Sequence, residues 1–437
     1  MNQFNVSLWG DEAWAATLIS KSWSQIISIV SKDTSPPLYY IFAHAWTNLF
    51  GMSEIALRSL SLLFILLTAI FTALIARELW HKWPITIFAG LLTFLNPFLF
   101  QYAFEVRMYA LLALMSTGAT YFFLKKKWIL YVIFAALSLY THHFSLFVIF
   151  WHFLWQMKEW FKYKDKLIQR LLPFIGIGIL YLPWLPTMYQ QTKMVTNQGF
   201  WLGKPVLKDI FEVFLKFLSG LNKYSWQIYA VISGGIILAI RRWKIKDNQT
   251  WFLLGWLIVP IITVFCLSQV MQPIFYDRYL INLIPAFVLI LVSSFRKSWI
   301  SLVMILAFIL ITLKIDYQFF FNPTKKPFRE MAVFIKQQLK PNDKLINWSG
   351  QAHHIFESKY YGVYGPIYTP NGSLPFYTGT ALMEPGDQIS VLPNATRIGI
   401  MTSESIDKIN LSGYKLDSQK QFDGLNFSWW SQTNVKK

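Results

Sequence analysis

The sequence predicts a mainly α, polytopic transmembrane protein that ends in a small α/β domain, and three observations predict it. Hydrophobic residues fill 54% and charged residues only 14% of the 437 positions, and long apolar runs recur from about Leu57 to Leu313, as they do in chains that cross a bilayer repeatedly. Basic residues punctuate those runs: 16 of the 27 Lys and Arg before position 320 fall in five short loops, Arg77 to Lys82, Lys125 to Lys127, Lys158 to Arg170, Arg241 to Lys246 and Arg296-Lys297. From Asn322 onward the composition turns polar, with stretches patterned as helix and strand.

Positive residues are retained on the cytoplasmic side of short loops, so those five loops are expected inside. Ten spans follow, roughly 57–77, 84–104, 105–124, 128–141, 143–157, 168–186, 224–240, 250–269, 279–295 and 298–315. The two between Lys127 and Lys158 are short, yet parity requires both, because one span would put two basic loops on opposite sides. Residues 1–56, the loop around 187–223 and residues 321–437 then lie outside. This is a cell-membrane protein on that reading, in contact with membrane lipids along its length. Met1 to Trp9 has neither the basic start nor the apolar core of a signal peptide, and an outside N-terminal loop leads us to expect a first span that this chain lacks. A net charge of +18 suggests nucleic acid in a soluble protein, but clusters that punctuate spans do not form a basic face interleaved with accessible aromatics. The single Cys266 lies in an apolar stretch and excludes an intrachain disulfide.

The outside segments have their own patterns. In residues 1–56, Pro36 and Pro37 forbid a helix through Ser35-Pro36-Pro37-Leu38-Tyr39-Tyr40 and impose a rigid bend between interfacial helices. Residues 205–219 place apolar positions near helical spacing with charges between them, the pattern of an amphipathic helix lying on a membrane. In the tail, Pro327 to Leu339 predicts a helix, and Lys344 to Trp348 and Arg397 to Met401 predict strands. His353-His354 with Glu357 looks like a zinc set but lacks the His-Glu-x-x-His spacing.

Two acidic settings stand beside apolar segments, where a charge is costly unless paired, wet or used: Gly10-Asp11-Glu12-Ala13 and Glu105-Val106-Arg107-Met108-Tyr109. Asp11 is also a respectable helix N-cap ahead of Glu12-Ala13-Trp14-Ala15-Ala16, and Glu12 complements a helix dipole. Glu105 is expected to begin an apolar helix, which would put Glu105 and Tyr109 on one face and Arg107 on another; the bland alternative is a local Glu–Arg network. Arg58 begins a span with Glu54 four residues earlier, which favours a structural pair.

Taken in order, Leu8-Trp9-Gly10-Asp11-Glu12-Ala13, Ser35-Pro36-Pro37-Leu38-Tyr39-Tyr40, Phe50-Gly51-Met52-Ser53-Glu54-Ile55-Ala56-Leu57-Arg58, Asn96-Pro97, Glu105-Val106-Arg107-Met108-Tyr109 and Asp277-Arg278-Tyr279 closely resemble the bacterial and archaeal protein O-mannosyltransferase-like glycosyltransferases. Those are membrane enzymes of the GT-C fold, a group that includes the aminoarabinose transferases of lipid A modification. The resemblance covers roughly residues 8–315. Family members carry a span before the Asp-Glu loop, and their His-Pro-Pro is Ser-Pro-Pro here.

The resemblance implies transfer of a sugar, mannose or a related one, from a polyprenyl-phosphate donor to a hydroxyl of a glycan, lipid or protein acceptor on the outer face, with inversion. An acceptor hydroxyl is a poor nucleophile near neutral pH, and a carboxylate at the wet rim of a pocket takes its proton; Asp11 is the candidate base, with Glu12 beside it. Glu105 takes the place of the family's second acidic motif, to orient the acceptor or help hold a divalent cation. Magnesium or manganese would suit two carboxylates, although no metal or other cofactor is required by these residues. Arg278 is the candidate partner of the lipid phosphate, against a salt bridge with Asp277 or snorkelling to the interface. Tyr279, Arg107, Tyr109, Pro36, Pro37 and the His142-His143 pair complete the expected substrate contacts, the two histidines being equally plain as interfacial residues. A transporter would instead place charges at mid-membrane and show paired halves; a non-catalytic binder of lipid-linked glycan would keep the cavity and not need Asp11.

Overall fold

A computed structural model describes residues 1–164, 166–221, 225–239, 247–293, 299–348, 352–370 and 372–433. The basic loops at 241–246 and 296–297 lie outside the described residues. Two compact units emerge, one of Thr34–Phe42 with Arg58–Asn322, the other of Met1–Asp33, Ala43–Leu57 and Pro323–Lys437.

The first unit is a helical membrane unit of a multi-pass membrane protein. Glu54–Trp80, Leu167–Gln198, Asn248–Val270 and Trp299–Phe321 are long and apolar enough to cross a bilayer, and Trp83–Phe94, Tyr109–Leu124, Trp128–Thr141 and Trp226–Leu238 are shorter apolar helices. Leucines and isoleucines on their outward faces, such as Leu66, Ile70, Ile129 and Leu310, are exposed, as befits surfaces that meet hydrocarbon. Polar residues turn inward and satisfy themselves: Thr68, Thr93 and Thr117 each donate a hydroxyl hydrogen bond to the carbonyl four residues back, at 2.8, 2.7 and 2.6 Å. No water competes for those carbonyls at that depth.

Several expected spans change shape. The run expected over 84–104 breaks at Asn96-Pro97, because Pro97 lacks the N–H that would continue the first helix; a separate helix, Pro97–Tyr102, starts there with Asn96 accepting from the Leu99 N–H at 3.0 Å. The span expected from 105 starts only at Tyr109. The expected 168–186 span is Leu167–Tyr181, one short 3-10 turn at Pro183, then Leu185–Gln198. The expected amphipathic segment is the helix Leu207–Ser219.

Close approach inside the bundle is set at glycine. A Cβ on Gly255 would lie 2.0 Å from the Trp151 ring, and that ring is fixed because its Nε1 donates to the Phe252 carbonyl at 3.1 Å. This holds the helix Ser145–Tyr163 against Asn248–Val270, the small-residue contact that membrane helices rely on.

The second unit carries the tail's sheet, with strands β1 Lys344–Trp348, β2 Ile367–Tyr368, β3 Gln388–Ile389, β4 Arg397–Thr402, β5 Tyr414–Phe422 and β6 Leu425–Gln432. Their order is β3-β2-β1-β4-β6-β5, parallel from β3 through β4 and antiparallel beyond. Alternation sorts the side chains: Leu345, Met401 and Trp429 join one core with the helix Phe328–Gln338, while Ile346, Ile400 and Trp430 join another. The expected helix and both expected strands are present.

The N-terminal residues belong to this unit. Ser7 Oγ donates to Glu330 at 3.0 Å, the Leu8 N–H to the Tyr361 hydroxyl at 2.8 Å, and Trp14 Nε1 to the Gly379 carbonyl at 3.2 Å. Glu54 accepts from Arg329 at 3.2 Å and from the Tyr361 hydroxyl at 3.0 Å, partners that its four-residue spacing to Arg58 does not foretell.

Overpacking a fixed contact costs about 1–3 kcal/mol. Gly255→Leu is therefore expected to lower the thermal unfolding midpoint of the detergent-solubilised protein by several degrees, read by tryptophan fluorescence; an unchanged midpoint would mean that the Trp151 contact does not form.

Candidate active site

In the membrane unit, the backbone between Tyr102 and Tyr109 is not helical. This corrects the expected helix start at Glu105: the short helix after Pro97 ends at Tyr102, and Glu105 and Tyr109 share no helical face. Ser61 Oγ pins the loop by donating to the Glu105 carbonyl at 2.6 Å. A loop conformation frees Arg107 from helical geometry and turns it, together with Tyr109, onto the wall of one cavity of about 350 Å³. His142, His143 and Tyr279 line the same cavity. Five of the expected substrate contacts are thus brought together inside one unit.

An aromatic cluster forms the head of the cavity. The Tyr109 and Tyr279 rings stack with centroids 6.2 Å apart, and His142 lies 6.1 Å from Tyr109 and 5.0 Å from Tyr279. The Arg278 guanidinium sits 4.8 Å from the Tyr276 ring and 5.3 Å from the Tyr109 ring, and the Arg107 guanidinium 6.0 Å from Tyr109. Stacking on ring faces holds a guanidinium in place. The Tyr109 hydroxyl is buried and has no hydrogen-bond partner among the described residues.

Asp277, the neighbour expected as a rival partner for Arg278, is paired with a lysine of the amphipathic helix to which the sequence analysis gave no role. Lys216 Nζ donates to Asp277 Oδ2 at 2.6 Å, while Asp277 Oδ1 takes the Arg278 backbone N–H at 2.6 Å.

Pro36 and Pro37 are buried but do not line the cavity; Thr34 and Ser35 do. The bend that the prolines impose is present, with a helix resuming at Leu38, so their contribution is to aim the preceding backbone. Gln191 is a missed residue: its Nε2 donates to the Ser35 carbonyl at 3.4 Å and its Oε1 meets His143 Nε2 at 3.1 Å. With Tyr181 at His143 Nδ1, 3.2 Å away, this chain ties the cavity floor together. No local pattern marks Gln191, whose partners are distant in sequence. Beyond His143, Leu146, Phe147 and Met188 the cavity adjoins a groove of about 630 Å³ walled by residues such as Phe150, Phe153, Phe174 and Ile177.

In the second unit, the helix Gly10–Ile19 carries both N-terminal acids. Asp11 is not its cap. Trp9 occupies that position, and the Trp9 N–H donates to Glu12 Oε2 at 3.3 Å. Glu12 is fully buried and ion-paired with Lys325 at 3.0 Å, so the structural role considered for both acids falls to Glu12. Asp11 keeps 15% of its side chain exposed and lies 3.9 Å from His353 Nε2. Nearby, His354 and Glu357 are buried with His354 Nε2 3.8 Å from Glu357 Oε2. Burial, aided by Lys326 and His353, pushes His354 down to about 3, and burial raises Glu357 well above the usual carboxylate range. Among the described residues, no group of three or more His, Cys, Asp or Glu side chains is arranged to hold a metal ion, and Glu12 is already engaged by Lys325. The expected divalent cation therefore has no assembled donor set here, and no step below is routed through one.

No family model matches the sequence, and no curated protein does. Among solved structures, ArnT from Cupriavidus metallidurans in the apo state is similar over 97% of this chain and 93% of its own, with a TM-score of 0.63 at 13% identity. The same protein bound to undecaprenyl phosphate aligns over 98% of this chain and 95% of its own, with a TM-score of 0.62 at 12% identity. The fold is thus of the ArnT, GT-C type.

Two measurements check the charge placements. Removing one partner of a largely buried pair costs about 3–5 kcal/mol, less where solvent reaches it as at Lys216; Lys216→Met is expected to lower the unfolding midpoint, and Lys216→Met with Asp277→Asn to recover most of the loss. Glu357 has a folded-state pKa above its unfolded value, so its contribution is complete below about pH 4.5 and is lost as pH rises through the folded value. Glu357→Gln should flatten the decline of the midpoint on the alkaline side, and an unaltered slope would contradict the assignment.

Proposed function

We propose that this protein is a membrane glycosyltransferase that moves one sugar, mannose or a related one, from a polyprenyl-phosphate carrier to an acceptor hydroxyl on the extracytoplasmic face, with inversion. The observation that carries the reading is the convergence of Arg107 and Arg278 on Tyr109, whose buried hydroxyl awaits an acceptor, at the head of a cavity that continues into an apolar groove. A ligand matching it is anionic at one end and hydrocarbon at the other. Undecaprenyl phosphate, bound by the ArnT neighbour, belongs to that class.

In the proposed reaction the acceptor oxygen attacks the anomeric carbon as its proton passes to Asp11, and the bond from that carbon to the carrier phosphate breaks. Negative charge grows on the departing phosphate, where two guanidiniums and the Tyr109 hydroxyl stabilise it more than in the ground state. Asp11 is the base because Glu12 is neutralised by Lys325 and occupied by the Trp9 N–H. Glu105 is assigned to orienting the acceptor, a glycan, lipid or protein. His142 and His143, with Tyr279, shape the donor end of the cavity.

The test supplies a labelled polyprenyl-phosphate sugar to membranes holding the protein and follows loss of label from the lipid. Removing one preorganised charge stabiliser costs about 10²–10³ in rate; Arg278→Ala and Arg107→Ala are expected in that range, and Asp11→Asn at background. A folded Asp11→Asn protein that transfers sugar at the wild-type rate would sink the mechanism.

A further inference from the structure

The helix that presents Asp11 is seated on the tail's own side chains. A Cβ on Gly10 would fall 2.3 Å from the Cβ of His353, so only glycine lets the first turn rest on the start of the helix His354–Tyr360. Trp14 Nε1 fastens the next turn to the Gly379 carbonyl at 3.2 Å. Two residues of the tail that can carry positive charge then face the two acids, Lys325 at 3.0 Å from Glu12 and His353 Nε2 at 3.9 Å from Asp11.

We propose that His353 is a positioning residue for the transfer reaction: its ring holds the Asp11 carboxylate in the orientation that accepts the acceptor's proton, which makes the C-terminal domain a working part of the catalytic centre. This rests on the reading of Asp11 as the base.

The division of labour follows from the chemistry of the two cations. A lysine paired with a carboxylate stays charged, depresses its basicity and suits an acid with a structural role, which is Glu12. An imidazole is a weaker cation that exchanges its proton near neutral pH, so it aligns a carboxylate without removing its capacity to take a proton. At 3.9 Å the contact is electrostatic rather than a direct hydrogen bond, so His353 acts through charge and steric placement. Among the described residues, the titratable groups around this first turn include Glu12 on its own helix, Lys325 and Lys326 from the segment after Asn322, and His354 and Glu357 from the helix His354–Tyr360. Burial disfavours the charged forms of His354 and Glu357, and Lys325 offsets Glu12, so substitution of His353 acts chiefly on the field at Asp11.

The experiment uses full-length protein in membranes with a labelled polyprenyl-phosphate sugar, comparing wild type, Asp11→Asn, His353→Ala, His353→Gln and Gly10→Ala. A misplaced reacting group costs about 10- to 100-fold. His353→Ala is expected to lose that much kcat with donor KM within about twofold, and Gly10→Ala to resemble it, because each releases the same contact. Where the ring carries its proton, losing it raises the proton affinity of a neighbouring carboxylate, so the acid limb of the pH–rate profile is expected to move to higher pH. His353→Gln, which fills much of the same space but carries no charge, is expected to recover the part of kcat that steric placement supplies while retaining the moved limb. A merely structural role would lower the unfolding midpoint and leave the limb of the folded fraction in place. Wild-type kcat and an unmoved limb in His353→Gln and His353→Ala, with Asp11→Asn inactive, overturn this inference alone. An active Asp11→Asn overturns the reading on which it rests.

Discussion

Lys216 and Asp277 meet at 2.6 Å, and the head of the cavity depends on that ion pair. Asp277 is 8% exposed and precedes Arg278 directly. A carboxylate so far out of water requires a cation, and the guanidinium beside it is the nearest in sequence. Lys216 meets that requirement from another helix, and Arg278 lies over tyrosine rings. The lysine reaches Asp277 because its helix is fixed at the C-terminal end: Asn96 Nδ2 donates to the Phe217 carbonyl at 2.7 Å, and the Leu221 N–H to Gln101 at 2.8 Å. An amphipathic helix that by pattern alone has only lipid headgroups to meet supplies the cation that Asp277 pairs with.

The second unit solves the same problem in the same way. Asp11 and Glu12 are neighbours, as Asp277 and Arg278 are, and a distant lysine neutralises one member of each pair. In both places, the residue left beside the neutralised one is a candidate for chemistry. Adjacent charges on a backbone cannot both turn into one dry contact, so a remote partner decides which of them becomes structural. For Glu12 that partner lies 313 positions away, and for Asp277 it lies 61 positions away.

Those separations explain what was legible in the sequence. Hydropathy is a one-dimensional signal, and it located the long apolar helices among the described residues, the amphipathic helix before Gly220 and the change of regime after Asn322. Its boundaries erred at a break between two apolar runs: Phe104 to Met108 joins them in sequence, yet Pro97 has already restarted the chain and the next helix waits until Tyr109. That error mattered, since helical spacing sends Arg107 away from Tyr109 and the loop brings them together. Arg278, Tyr279 and Tyr109 were singled out through ordered motifs, and the two histidines through their place between two short expected spans. Gln191, Lys216, Lys325 and His353 were missed as site residues because each acts on a partner that no local pattern names. The tail was legible as a fold, through alternation in β1 and β4, and not as a neighbour of Gly10–Ile19.

The neutralisation of Glu12 also bears on stereochemistry in the proposed reaction. Retention through a covalent intermediate uses two carboxylates, one as nucleophile and one as acid and then base, about 5–5.5 Å apart on either side of the bond. Asp11 and Glu12 are successive residues of one helix, so their side chains diverge by about a quarter turn or more. Glu12 is also enclosed, salt-bridged and bonded to the Trp9 N–H. This helix therefore offers one proton acceptor and no second carboxylate to act as nucleophile. A phosphate leaving group needs no acid to depart once guanidiniums stabilise its charge. One base and one cation-stabilised leaving group are sufficient for a single displacement, and a single displacement inverts the anomeric carbon.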